Sequence, residues 1–216
     1  MPSISVENYL KNIYELSVTE EKVTTSLLAD RLGIAPASVT GMIKKLSKKG
    51  FLRHIPYKGV VVTEKGKRSA LKIIRKHRLW EMFLLEVLHF SWDTIHEEAE
   101  AFEHIMSDKM ENKIDEVLGC PTVDPHGAPI PRKDGTIKKM NLKPLGLAKE
   151  GTTVRVLSVI DENPELLQYA SSIGLTLNKK IVVKQKNKFD DSLVIRIGSK
   201  ETVISSKLAQ NIFVET

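Results

Sequence analysis

Two short apolar patterns separated by a tight turn constrain this chain more than any other feature of its sequence. Leu27, Leu28 and Leu32 recur at helical spacing before Gly33, and Val39, Ile43 and Leu46 recur at the same spacing after Pro36. Glycine accepts the left-handed backbone that ends a helix, and proline suits the first turn of the next one. The spacing predicts a helix from about Thr25 to Leu32, a bend over Ile34–Ser38 carrying an N-cap, and a third helix reaching roughly Lys49. Two helices packed across such a bend form a helix-turn-helix. An amphipathic helix precedes them over Ser5–Leu16, and two β-rich runs follow, Phe51–Pro56 and Val60–Thr63. Their connection, Tyr57-Lys58-Gly59, predicts a small hairpin, or wing.

Charge is distributed in blocks. From Gly41 to Arg78 there are thirteen lysines and arginines against one acid, a net +12, and from Glu81 to Leu118 eleven acids against two lysines, a net −9. A basic block attracts polyanions because neutralised phosphates release condensed counterions, whereas an acidic block attracts cations. Small side chains at the start of the third helix (Ala37, Ser38, Thr40) let it lie deep in a major groove and touch base edges, with Lys44, Lys45, Lys48, Tyr57 and Lys58 left for phosphates.

Downstream, the pattern predicts one long helix over about Glu64–His89 and another over about Asp93–Leu118, both with apolar stripes able to pack on each other and on a second subunit. Residues 119–139, with four prolines and three glycines, read as a linker. Beyond Leu142 the β-rich runs around Val154, Val182, Ile195 and Val203, with one helical stretch over Pro164–Ser172, predict a small β-barrel. The fold class is therefore mainly α with a small β part: a winged helix-turn-helix over residues 1–72, a helical metal-binding and dimerisation domain with linker over 73–139, and a barrel over 140–216.

The acidic block contains His96, Glu100, Glu103 and His104, which fall within an arc of about 100° on a continuous helix. His77 and Glu81 lie one turn apart on the helix before it, and antiparallel packing would bring the six together. Imidazole and carboxylate without thiolate suit a divalent first-row ion toward the hard end, Mn2+ or alternatively Fe2+. His54, His89 and His126 lack such neighbours and read as structural or solvated.

Several stretches together resemble the diphtheria toxin repressor family of iron- and manganese-dependent regulators. They are Glu7-Asn8-Tyr9-Leu10, Ile13-Tyr14-Glu15-Leu16, Ser38-Val39-Thr40, Lys76-His77-Arg78-Leu79, the run from His96 to Asp108, and Pro125-His126-Gly127 with Pro129-Ile130-Pro131. The resemblance implies a primary metal site of Asn8, Glu100, Glu103 and His104 and an ancillary site of His77, Glu81 and His96, with Glu162, Glu165 and Gln168 as further candidates. It also implies an SH3-like C-terminal domain like that of ferrous-transport accessory proteins, and a homodimer that binds a double-stranded DNA operator once metal orders it. Glu100 stands where the iron-responsive branch carries sulfur, which points to manganese. Asn8 stands where the manganese branch usually has a carboxylate, so Glu7 is a possible substitute.

Two other readings stay open at this point. Paired helices with Glu and His also build di-metal carboxylate enzymes, although the basic block has no role there. A DNA-binding regulator with structural metal and another effector is the second. Cys120 is the single cysteine, and no apolar run is long enough for a membrane span or a signal peptide, so a non-enzymatic cytoplasmic protein is expected.

Overall fold

A computed structural model describes residues 4–55, 59–160 and 163–215. It divides into two compact units. The first comprises residues 1–77, 103–107 and 131–136, and the second comprises 78–102, 108–130 and 137–216.

In the first unit α1 (Ile4–Thr19), α2 (Thr25–Leu32) and α3 (Pro36–Lys48) precede the hairpin of β1 (Leu52–Ile55) and β2 (Gly59–Val62) and the opening of α4 (Glu64–Glu86). Thr24 caps α2 by accepting from Leu27 N at 3.1 Å, and Gly33 ends it at φ 64°. Pro36 starts α3 directly after Ala35, which offers no side-chain cap, so Ala37 and Ser38 lie inside the helix rather than in the turn before it. Leu10, Ile13, Leu28, Val39, Leu46 and Leu52 are sealed from solvent in one apolar core. Gly59 lets β2 approach the segment after α1. Val60 N donates to Val23 O at 3.0 Å, and a Cβ at Gly59 would sit 2.4 Å from that same oxygen. The remaining wing-tip residues, Tyr57 and Lys58, lie outside the described residues.

α4 stops at Glu86, three residues short of the expectation, because His89 adopts the left-handed backbone (φ 58°) that turns the chain away. The expected helix over 93–118 is two helices, α5 (Ile95–Phe102) and α6 (Asp108–Val117). The intervening segment, Glu103–Ser107, belongs to the first unit. There Lys76 Nζ donates to the carbonyl oxygen of Met106 and Glu103 is buried against α1, and these tertiary bonds outweigh the continuing apolar periodicity.

The expected linker is, over Asp124–Ile130, an ordered part of the second unit. Asp124 Oδ1 accepts from His126 N and Ala128 N, both at 2.9 Å, and Val159 N donates to His126 O. Gly127 (φ 86°) passes so close to Leu157 that a Cβ would meet its carbonyl oxygen at 1.9 Å. Proline and glycine here shape a packed turn, not a flexible tether.

The second unit ends in an antiparallel sheet ordered β3 (Lys143–Pro144), β8 (Ile212–Glu215), β4 (Thr153–Val159), β5 (Lys180–Lys186), β6 (Leu193–Ile197) and β7 (Lys200–Ile204). α7 (Pro164–Ser172) and α8 (Ser206–Gln210) accompany it over a core that includes Val156, Leu167, Ile181, Ile195 and Ile212. Among the described residues β3 and β7 are not paired with each other, so the expected barrel is an SH3-like curled sheet open along that edge. No described helix is long and apolar enough to cross a membrane.

Candidate metal centre and nucleic-acid interface

α3 separates its residues cleanly. Val39, Ile43 and Leu46 are buried, while Ala37, Ser38, Thr40, Lys44, Lys45 and Lys48 are all exposed. The Thr40 hydroxyl donates to Pro36 O at 3.0 Å, the usual bond of a threonine inside a helix. That fixes its rotamer and leaves the oxygen's acceptor capacity. The basic block is not uniform. Arg75 and Lys76 are each 6% exposed and donate to the carbonyls of Pro131 and Met106, and Arg78 donates to Pro129 O and pairs with Asp124. These three cations hold the fold; those on α3 face outward.

One cluster of titratable residues lies wholly in the first unit. Glu103, 1% exposed, presents Oε2 to Lys11 Nζ at 2.8 Å and to His77 Nδ1 at 2.6 Å. A carboxylate can only accept, so the 2.6 Å contact places a hydrogen on His77 Nδ1 and leaves the lone pair on its Nε2. Burial by itself raises the Glu103 carboxyl, but the His77 hydrogen bond and the Lys11 ammonium outweigh it and hold the group below the usual range. The other oxygen, Oε1, is 3.3 Å from His104 Nε2, and His104 Nδ1 is 2.8 Å from Glu7 Oε2. With Nδ1–H given to Glu7, Nε2 turns its lone pair toward Glu103 Oε1. This carboxylate–imidazole arrangement is the one that prepares a histidine for a metal. Glu7 therefore orients His104 and is not itself placed as the ligand replacing Asn8. Asn8 is half-buried on α1 and accepts at its carbonyl from Asn12.

A second cluster lies wholly in the second unit. Glu81, fully buried, faces His96 Nδ1 at 3.3 Å and His126 Nδ1 at 3.8 Å through the same oxygen. Ligand atoms of Glu81, Asp124 and His126 all lie within 4.8 Å of one another, and all three side chains are buried. His126 Nε2 is 3.1 Å from the carbonyl oxygen of Trp92, whose ring stacks on the imidazole at 5.3 Å. A carbonyl only accepts, so Nε2 carries the hydrogen and Nδ1 presents a lone pair toward the Glu81 carboxylate. Two carboxylates with one imidazole are donors that suit a hard divalent ion. His126, expected to be structural or solvated, is 0% exposed and part of this cluster.

The remaining expected site residues are scattered. Glu100 is 56% exposed and 4.0 Å from His96 Nε2. Glu165 is exposed in the first turn of α7, and Gln168 donates to Asp93 Oδ2 at 2.6 Å, a bond that lowers the Asp93 carboxyl. Glu162 lies outside the described residues.

Family models of known proteins match three successive stretches of the chain. Residues 1–60 match the N-terminal DNA-binding domain of the iron-dependent repressors, 63–132 match their metal-binding and dimerisation domain, and 143–216 match the FeoA domain. The iron-dependent repressor IdeR of Mycobacterium tuberculosis is 27% identical over 98% of this chain and 96% of its own. A solved manganese-dependent transcriptional repressor in complex with manganese is 35% identical, with a TM-score of 0.91 over 97% of this chain and 98% of that one. The zinc-bound structure of ScaR is 33% identical, with a TM-score of 0.85 over 99% of both chains. Family models over nearly the whole length, joined to an outward-facing recognition helix and two histidine–carboxylate clusters, place the chain in the iron-dependent repressor family, that of the diphtheria toxin repressor.

Proposed function

We propose that this protein is a cytoplasmic, homodimeric, non-enzymatic repressor that binds operator DNA through α3 and its wing when loaded with Mn2+. Its domains are the winged helix-turn-helix over residues 1–72, the helical domain over 73–139 and the SH3-like domain over 140–216. One observation carries the reading. The segment Glu103–Ser107 belongs to the same compact unit as the helix-turn-helix, and His104 reaches α1 through Glu7 at 2.8 Å. Whatever orders Glu103 and His104 acts directly on the helix that supports the reading head.

In this reading Glu103 and His104 hold the activating ion together with Glu100 and Asn8. Glu81 anchors a second site, drawing on His96 and His77, as the family pattern has it, and on Asp124 and His126. When bound, the ion supplies positive charge that ties these donors together. Carboxylate and imidazole without thiolate favour Mn2+ or Fe2+ over softer ions. A dimer binds a pseudo-palindrome only when its two recognition helices match the groove period, so a preference of a few kcal/mol for that geometry is enough for a switch.

The test is DNA retention titrated with Mn2+, anaerobic Fe2+, Zn2+ and a chelator at one fixed salt concentration, since phosphate contacts make affinity steeply salt-dependent. Chelation should release DNA and Mn2+ should restore it at least as well as Fe2+. DNA retention unchanged by chelator would refute a metal-dependent repressor.

A further inference from the structure

We propose that the Lys11 ammonium is the resident cation of the Glu103 carboxylate, a built-in substitute for a second divalent ion at this cluster. Lys11 is 5% exposed, and a lysine is almost never buried without a counter-charge. Its Nζ stands 2.8 Å from Glu103 Oε2 and 3.2 Å from His77 Nδ1, closing a triangle with the 2.6 Å contact between those two atoms. A carboxylate oxygen is a donor that a divalent ion would take, and the ammonium already lies against it. An ion arriving there would meet a full positive charge within a few ångströms in a site shielded from water, where such repulsion is weakly screened.

Glu103 is thereby divided. Oε2 is committed to Lys11 and His77, and Oε1 with His104 Nε2 is left for a single metal ion. α1 supplies both the cation, Lys11, and, one turn earlier, the carboxylate that orients His104, Glu7. With the rings neutral, Glu7, Glu103 and Lys11 carry a net charge of −1, against −2 without the lysine, and hard cations follow carboxylate charge. The contact between α1 and Glu103 that a second ion would otherwise make is held by a side chain.

This inference rests on the metal reading proposed above. Its test counts bound Mn2+ per subunit, by the electron paramagnetic resonance signal of free Mn2+, for the full-length wild type, Lys11→Met and Lys11→Arg. Lys11→Met should bind one further Mn2+ than the wild type, and its Tm should rise more on Mn2+ addition. Lys11→Arg, which keeps the charge, should match the wild type. A natively folded Lys11→Met with unchanged stoichiometry would overturn the assignment and leave Lys11 a structural ion pair. No Mn2+ binding by wild type or variant would overturn the metal reading as well. The wild type gives a reading independent of any variant's folding. The Lys11 Nζ resonance should keep its hydrogen-bonded shift at saturating Zn2+, and its collapse to the solvent-exposed value would show the ammonium displaced and the proposal wrong.

Discussion

The clusters around Glu103 and Glu81 draw on the same residue types but answer their charge differently. At Glu103 a lysine ammonium lies 2.8 Å from the carboxylate, and both nearby imidazoles have Nδ1 facing a carboxylate. At Glu81 one oxygen faces two imidazole nitrogens, while the nearby guanidinium of Arg78 goes to Asp124 at 3.2 Å. Arginine there fixes the orientation of an aspartate, and lysine at Glu103 occupies a cation's place. On the reading proposed above, an added ion joins the donors at Glu81, whereas at Glu103 a side chain already supplies one positive charge.

Substitution of Glu81 tests the second cluster of that comparison. It is the carboxylate shared by His96 and His126, so Glu81→Ala should lower Mn2+-stimulated DNA affinity by about a hundredfold, beyond the loss of one orienting partner. A change below threefold in a DNA-binding titration would show that the second cluster is structural. His104→Ala should nearly abolish stimulation, whereas His77→Ala, which leaves the His104 side of Glu103 intact, should reduce it only in part. Equal, mild effects of the two would argue for one shared site. Glu7→Gln tests orientation without removing a ligand, and Mn2+ affinity should fall about tenfold, roughly 1.4 kcal/mol, with DNA affinity at saturating Mn2+ retained. The smallest effects belong to α3. Lys44→Ala should weaken specific and random DNA alike and flatten the salt slope by about one unit per subunit, while Thr40→Ala should weaken specific sites more than random DNA. A changed base preference in Lys44→Ala with an unchanged salt slope would reverse those roles.

Local signals made the helix-turn-helix legible: Gly33 ends one helix and Pro36 opens the next, and the effect of each depends on its immediate neighbours. α7 has the bounds expected for it, Pro164–Ser172, and the structure adds an Asn163 cap on Leu166 N. What escaped is set by contacts distant in sequence. Phe102, Ile105 and Met106 continue a helical apolar pattern, and tertiary bonds, those from Lys76 and Lys11 among them, break it. His126 showed no ligand neighbours because its partner Glu81 is far away along the chain and the Asp124 turn looked like linker. Lys11 left one faint signal: it lies one turn beyond Glu7 and between the buried Leu10 and Ile13, where an exposed lysine is out of place.

Anomalous scattering at the manganese edge, from crystals of the full-length protein grown with Mn2+, tests the contrast between the clusters most directly. The account predicts one peak bounded by Glu103 Oε1 and His104 Nε2, another among Glu81, Asp124 and His126, and Lys11 Nζ still against Glu103 Oε2. A peak between Glu103 Oε2 and His77 with the lysine turned away, or no peak at Glu81, would contradict it.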